Sequence, residues 1–444
     1  MIGQRWRAVV ATVVVAVCIA VRVTDLQAQT PPPLRPGESA VLDSARAIRG
    51  ANLSVSLLTY GPGEEVFEKF GHMALAVVDN TAGQDIAFNW GMFDFNQPNF
   101  LSRFLTGDTK YWMAGFNTDA FNALYRRDNR SIRRQQLALS PTERAALFEF
   151  IAWQAREENK FYRYDYYRDN CATRVRDALD RVLRGQLQPA FNVPGSGRTW
   201  RGETARITAS DLPTYAGIEI ALGRHADETL SKWDESFLPE HLSNHLARFV
   251  ARAPDGHEYK LVSNDTVLAT SERVPIPAEP PERFVMAALI GLTLAGLIAT
   301  LADSRRRAAR LVLSIGVAVW YVVGGLLGTA LLLAATVTKH APYMGSNTTL
   351  LQLHPLLLVA AIPVARALVR GARGTVALGV STVLALLSVC GVLLQLVPSL
   401  AQSSGVVLAV TVPVHTALAI AMWRLGHDDE PRRRNRGAAL SRAA

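Results

Sequence analysis

Cysteine is nearly missing from this chain: there are three in 444 residues, and Cys18 and Cys390 lie inside long apolar runs. Cys171 is left without a mate in the polar sequence, which excludes the disulfide framework on which small exported domains rely. No internal repeat is present, excluding a solenoid or propeller of stacked units. Charge is also missing in a patterned way. Charged residues make up 19% of the chain against 49% hydrophobic, and the stretches 284–302, 311–338, 350–365, 375–400 and 405–423 hold no Asp, Glu, Lys or Arg at all.

Each of these stretches is long enough to cross about 30 Å of hydrocarbon as a helix. Arginines cluster in alternate connections: Arg305, Arg306, Arg307 and Arg310, then Arg366, Arg370 and Arg373, then the tail with Arg424, Arg432, Arg433, Arg434, Arg436 and Arg442. The opposite connections hold only Lys339. The positive-inside bias therefore puts the Arg-rich loops and the C-terminus in the cytoplasm, and everything before residue 284 outside. These thirteen arginines exceed Asp303, Asp428, Asp429 and Glu430 by the whole net charge of +9. Membrane topology accounts for the basic balance, so it gives no support to a nucleic-acid partner.

At the other end, Arg5 and Arg7 precede the apolar run 9–21 (VVATVVVAVCIAV) and "DLQAQT". This order reads as a secretory signal cleaved after Ala28, or as an uncleaved anchor. A Pro-rich spacer at 29–39 and a linker at 274–283 (VPIPAEPPER) bracket an exported unit of 40–273, followed by a membrane domain at 284–423 and a basic tail at 424–444. Within the unit, 53–60, 72–78 and 85–90 read as strands, 141–157 and 171–184 as helices, 212–250 as mostly helical, and 258–270 as a hairpin. The fold class is α+β followed by a transmembrane helical bundle.

An unpaired thiol in an oxidising compartment needs a reason. Asn170 is a natural N-cap, so Cys171 falls in the first turn of a helix, where free N–H groups and the helix dipole favour a thiolate. Cys171 also shares the apolar stripe of Val175, Ala178 and Leu179. It reads either as a small core cysteine or as a nucleophile aimed at a neighbouring sheet; Asp165 and Asp169 count against ionisation. His72 follows Gly71 at the first position of an apolar strand, and is the natural general base for such a thiol. Asn89 on the next strand can hold the imidazole tautomer, with Asp85 as competitor.

The blocks "FGHMALAVVDN", "FNWGMFDFNQPNF", "RDNRSI" and "YRYDYYRDNCATRVRDAL" resemble, in order and spacing, the exported domain of the bacterial Lnb-type lipoprotein N-acyltransferases. The likeness covers about 50–185, and more weakly "ESFLPEHL" (235–242) and "TKHAPYMGSNTTLLQLHPL" (338–356). The order of histidine strand, polar residue and cysteine helix is similar to the permuted papain-like fold of NlpC-type peptidases and lecithin:retinol acyltransferase. The resemblance implies Cys171 as nucleophile, His72 as base and Asn89 as orienter in an inner-membrane enzyme with a periplasmic catalytic domain. It likewise implies a phospholipid as acyl donor and the N-terminal amine of a lipoprotein as acceptor, and no cofactor is expected. Donors for the carbonyl oxygen are the Cys171 N–H and, beside it, Tyr60 or Tyr164. Two other readings share these residues: a membrane-anchored cell-wall cysteine amidase or peptidase, and a non-catalytic receptor.

The outer loop holds His340, Tyr343, Asn347 and His354, read as interfacial anchors or as substrate contacts, with His340 and Asn347 the candidates for binding. His415 is an ionisable group inside the fifth span and a functional candidate for that reason, or else a neutral link between helices. Phe93, Phe95 and Phe100 are core residues or the lining of an acyl-chain groove. The run Arg126, Arg127, Arg130, Arg133 and Arg134 reads as a solvated face or a lipid-facing patch. His241 and His245 are four apart, but no third ligand is near them in the sequence, and they read as surface histidines rather than a metal site.

Overall fold

The computed structural model describes residues 39–427 apart from residue 373. The leader, nearly all of the first spacer and most of the basic tail lie outside the described residues. The exported part is built on a seven-stranded antiparallel sheet: β1 (Leu53–Tyr60), β2 (His72–Asp79), β3 (Gln84–Met92), β4 (Tyr111–Asn117), β5 (Ile132–Leu137), β6 (Phe161–Tyr162) and β7 (Val262–Ala269). Their order across the sheet is β7-β5-β1-β2-β3-β4-β6. Alternation along the strands produces two cores. Leu53, Val55, Leu57, Met73, Leu75, Val77, Phe88 and Trp90 face one side, and Leu58, Tyr60, Ala74, Ala76 and Ala87 the other.

Helices cover both faces. The helix α1 (Phe100–Thr106) lies between β3 and β4, and α2 (Thr118–Arg127) closes the second core through Phe121. The first core is closed by α3 (Pro141–Gln154), α4 (Cys171–Val182) and α5 (Pro239–Arg248). Val175, Ala178 and Leu179 of α4 are buried against β2 and β3. Val175 and Leu179 each contribute about 1.5–3 kcal/mol by burial, which holds the start of α4 at the end of the sheet where β2 begins.

Two expectations fail for tertiary reasons. Residues 258–270 are not a hairpin: Glu258–Lys260 pairs with Val250–Arg252, whereas β7 pairs with β5. The chain switches sheets at Leu261, which is fully buried in the first core. The segment 212–250 is mostly helical, as expected: helices at Leu212–Ala221 and Lys232–Glu235 precede α5, interrupted by a 3-10 turn and the short strand Thr229–Ser231. It breaks at Gly223, where a Cβ would come within 2.0 Å of the Gly345 carbonyl oxygen of the outer membrane loop. The arginine run is not one solvated face. Arg126 and Arg127 are exposed, but Arg130 is buried, Arg133 pairs with Asp265 at 2.6 Å, and Arg134 donates to Ser56 at 3.1 Å.

Among the described residues, five helical segments are long and apolar enough to cross a membrane: Phe284–Ala302, Arg307–Val337, Thr348–Arg370, Thr375–Leu394 and Gly405–Leu425. His415 is buried among them. Trp320 Nε1–H donates to His415 Nε2 at 3.3 Å, so Nδ1 carries the proton and donates to Ser388 Oγ at 2.6 Å. The ring is a neutral link between three spans.

The loop after the second span is bonded to the exported domain. Lys339 N–H donates to Thr106 O at 2.9 Å, Gly223 N–H to Tyr343 O at 2.7 Å, and Tyr343 Oη–H to Asp165 Oδ1 at 2.9 Å. Asn347 Nδ2 donates to Ile220 O and Ala221 O at 3.0 Å each, while its Oδ1 accepts from Thr349 N–H and Gln402 Nε2.

Candidate active site

Cys171 opens α4 because Asn170 caps it. The Asn170 Oδ1 accepts from Ala172 N–H at 2.9 Å and Thr173 N–H at 3.0 Å, and Thr173 Oγ1 returns a bond to Asn170 N–H at 2.8 Å. Such a cap is worth about 1 kcal/mol. The Asn170 Nδ2 is also used, donating to Tyr166 O and Phe237 O at 2.9 Å each. The cap therefore fixes the Cys171 helix to two neighbouring segments.

On β2, His72 pairs with Tyr60 of β1, and its Nε2 lies 3.2 Å from Asn89 Oδ1 on β3. Asn89 is fully buried, and its Nδ2 donates to Ala114 O at 3.1 Å. That bond turns Oδ1 toward the imidazole, so Nε2 is the protonated nitrogen and Nδ1 keeps its lone pair. Asp85, the competitor of Asn89, is taken up by Thr118 Oγ1 at 2.5 Å.

Gly91, which sequence reasoning missed, sits where these groups meet. Between Trp90 and Met92 the β3–β4 register shifts, and Gly91 takes φ +98°, a conformation that side-chained residues rarely adopt. A Cβ there would lie 3.5 Å from Tyr164 Cε2, 3.9 Å from Cys171 Cβ and 4.0 Å from His72 Cε1. Thiol, imidazole and tyrosine thus converge on bare backbone. The available signal was a glycine inside a strand pattern, which marks a bulge or a close approach.

Burial governs both ionisations. It lowers the His72 pKa to about 4, with the Arg130 charge acting the same way and the Asn89 hydrogen bond opposing. It pushes the Cys171 thiol up to about 11, against the N–H groups of Met73, Ala172 and Cys171 itself. At neutral pH the pair is a thiol beside a neutral imidazole. Asp169 is paired with Arg174, and Asp165 accepts from Tyr167 N–H, Arg168 N–H and the Tyr343 hydroxyl. Arg130 is a second group the sequence did not single out: its Nε donates to Gly61 O at 2.8 Å and its guanidinium lies 4.6 Å from the Tyr125 ring centroid.

The remaining candidates separate. Tyr164 stacks on Tyr111 at 4.5 Å beside Gly91. Tyr60 backs the imidazole at 6.2 Å, but its hydroxyl hydrogen is already given to Asn122 Oδ1 at 2.9 Å. His340 stacks on Tyr166 at 6.3 Å and bonds Phe104 O at 3.0 Å. Asn347 has both amide hydrogens and its oxygen engaged inside the protein, so it is a joint rather than a binding group. His241 and His245 are not surface residues: only 17% and 14% of each side chain is exposed, and Glu235 faces them.

An aromatic path leaves the site. Tyr164 leads through Tyr111 to Phe93 at 5.1 Å, and Phe93 to Phe95 at 5.0 Å and Phe100 at 6.1 Å. Phe95, Leu101 and Leu105 at its outer end are 61%, 67% and 61% exposed. They flank Thr106, which bonds Lys339 just past the outer end of the second span. This apolar face therefore stands beside the end of that span.

Residues 43–202 match the Lnb N-terminal periplasmic domain, and residues 282–423 match the Lnb transmembrane domain. Neither the curated proteins nor the solved structures contain a match. With the two modules in this order over more than half of its length, the chain belongs to the Lnb-type family, as a multi-pass membrane protein with a periplasmic N-terminal domain.

Proposed function

We propose that this protein is a lipoprotein N-acyltransferase of the bacterial inner membrane, with the arginine-rich loops and C-terminus in the cytoplasm. His72 Nδ1 takes the Cys171 proton, and the sulfur attacks the carbonyl carbon of a phospholipid ester. The tetrahedral intermediate expels the lysophospholipid alkoxide, which takes the proton from His72 and leaves an acyl-thioester on Cys171. The free α-amine of a diacylglyceryl-modified lipoprotein cysteine then attacks the thioester and loses its proton to His72. The thiolate leaves and is reprotonated, and an amide remains. Asn89 keeps the imidazole in the required tautomer, and the Cys171 N–H is the donor for the oxyanion.

One observation carries this reading: the convergence of Cys171, His72 and Tyr164 on Gly91 lies at the inner end of an aromatic path whose outer end is exposed beside a membrane span. A soluble cell-wall substrate has no use for such a path; an acyl chain arriving from lipid does. The strand-borne base, the polar residue on the next strand and the helix-borne thiol also support the permuted papain-like arrangement.

The test is mass spectrometry of a lipoprotein co-expressed in cells depleted of their own N-acylating enzyme, with isotope-labelled phospholipid chains. The expected result is a labelled chain on the N-terminal amine, absent with Cys171→Ser, and an acyl-thioester trapped on Cys171. Altered cell-wall fragments with unchanged lipoproteins indicate an amidase instead. Full biological activity in both Cys171→Ala and His72→Ala leaves only a binding role.

A further inference from the structure

A second cluster lies away from the thiol. Glu235 ends the short helix Lys232–Glu235 and is almost completely buried; His241 and His245 stand one turn apart on α5, with ring centroids 6.2 Å apart. Their potential ligand atoms all fall within 4.8 Å of one another. We propose that Glu235, His241 and His245 bind a divalent transition-metal ion of the zinc type.

Three features point to a metal ion rather than an ordinary ion-pair cluster. Both Nε2 atoms are buried and have no hydrogen-bond partner, a state that costs about 1–3 kcal/mol for each group. Each nonetheless faces a carboxylate oxygen: His245 Nε2 is 3.3 Å from Glu235 Oε2, and His241 Nε2 is 3.4 Å from Glu203 Oε2. Second, Glu203 is already neutralised by Arg206 at 2.6 Å and Arg198 at 3.1 Å, whereas no arginine or lysine pairs with Glu235 among the described residues. A buried carboxylate in that position needs a cation. Third, the spacing suits tetrahedral coordination. Bonds of about 2.0–2.1 Å put neighbouring ligand atoms roughly 3.4 Å apart, and the widest gap here closes with a small side-chain rotation.

Two imidazoles with one carboxylate select zinc and its neighbours over magnesium or calcium, which take oxygen sets. Three protein ligands leave a fourth position open. The three ligands line a cavity of about 660 Å³ together with Phe191, Lys232, Arg248 and Phe249, which leaves room for a water at that position. The residues between the ligands touch the thiol site from behind. Phe237 O accepts from the Asn170 cap at 2.9 Å, and Pro239 is 3.7 Å from a Cβ placed on Gly71, next to His72. A bound ion thus clamps the segment that backs both Cys171 and His72.

To test this, the full-length protein in detergent is stripped with EDTA, given zinc, freed of excess by gel filtration, and assayed for metal by mass spectrometry. The expected result is a single zinc per chain, retained by Cys171→Ala and lost by His245→Ala, with zinc raising the melting temperature of the wild type and of Cys171→Ala but not of His245→Ala. Cobalt substitution of the wild type makes the test independent of whether His245→Ala folds: four-coordinate visible bands without an intense thiolate-to-cobalt band are expected. A thiolate band, zinc lost with Cys171→Ala but kept by His245→Ala, or no stoichiometric retention by the wild type overturns the proposal. None of these readouts depends on acyl transfer.

Discussion

Gly91→Ala separates folding from chemistry at the proposed site. The three contacts a Cβ would make, at 3.5, 3.9 and 4.0 Å, are ordinary van der Waals distances, so no atom has to be displaced in the resting protein. The folding cost comes from the backbone. At φ +98° a side-chained residue is strained by about 1–3 kcal/mol, which lowers the melting temperature by about 2–4 °C per kcal/mol in a domain of this size. The catalytic cost is separate. The methyl stands against both Cys171 and His72, where a substrate carbonyl must come to about 3–3.5 Å from the sulfur, and a misplacement of about 1 Å costs roughly 100-fold. A 100-fold loss is about 2.7 kcal/mol of barrier. The variant should therefore be folded, alkylated at Cys171 by iodoacetamide, and at least about 100-fold slower in forming the acyl-thioester. A rate within about twofold of wild type, together with the expected drop in melting temperature, refutes the placement of the reacting carbonyl beside Gly91.

Further outcomes follow from the same geometry. Because His72 is held neutral down to about 4 while an unfolded histidine titrates near 6.5, the unfolded chain takes up this proton first. His72 therefore contributes stability above about pH 6.5 that is lost as pH falls toward 4, and His72→Ala should flatten the melting curve against pH in that window. Over the same range, alkylation of Cys171 should stay level and fall only as pH drops through about 4; an inflection near 6.5 contradicts the buried, neutral base. Tyr343→Phe removes the bond to Asp165, worth about 1.5–3 kcal/mol for a charged acceptor, and should slow acyl transfer about 10-fold without changing membrane insertion, both measured on the same membrane fraction. Phe95→Asp with Leu101→Asp should abolish transfer from vesicle phospholipid while leaving iodoacetamide alkylation unchanged; undiminished transfer removes the acyl path.

What was legible in the sequence was whatever a local pattern encodes. Periodicity of two revealed β1 to β3, and a capping asparagine revealed the start of α4. Unbroken apolar length revealed the membrane spans, and charge asymmetry suggested their orientation. Cys171, His72 and Asn89 could be singled out because each is an odd residue on an otherwise regular element. Gly91 left only a faint trace, a glycine within a strand pattern, since its role is the absence of a side chain at a point where three other elements arrive.

Tertiary structure alone decided the rest, because the deciding contacts join residues far apart in the chain. Arg130 and Arg133 look like neighbours in a basic run, yet Arg130 folds under Gly61 and Arg133 pairs with Asp265. Asn347 looked available for a substrate until the carbonyls of Ile220 and Ala221 took both of its amide hydrogens. The two α5 histidines lacked a partner in the sequence and face Glu235 in the fold. A sequence fixes which side chains a strand or helix presents on each face; which distant groups meet them is set by how the sheet, its covering helices and the membrane loop pack, and burial there resets both hydrogen bonding and ionisation.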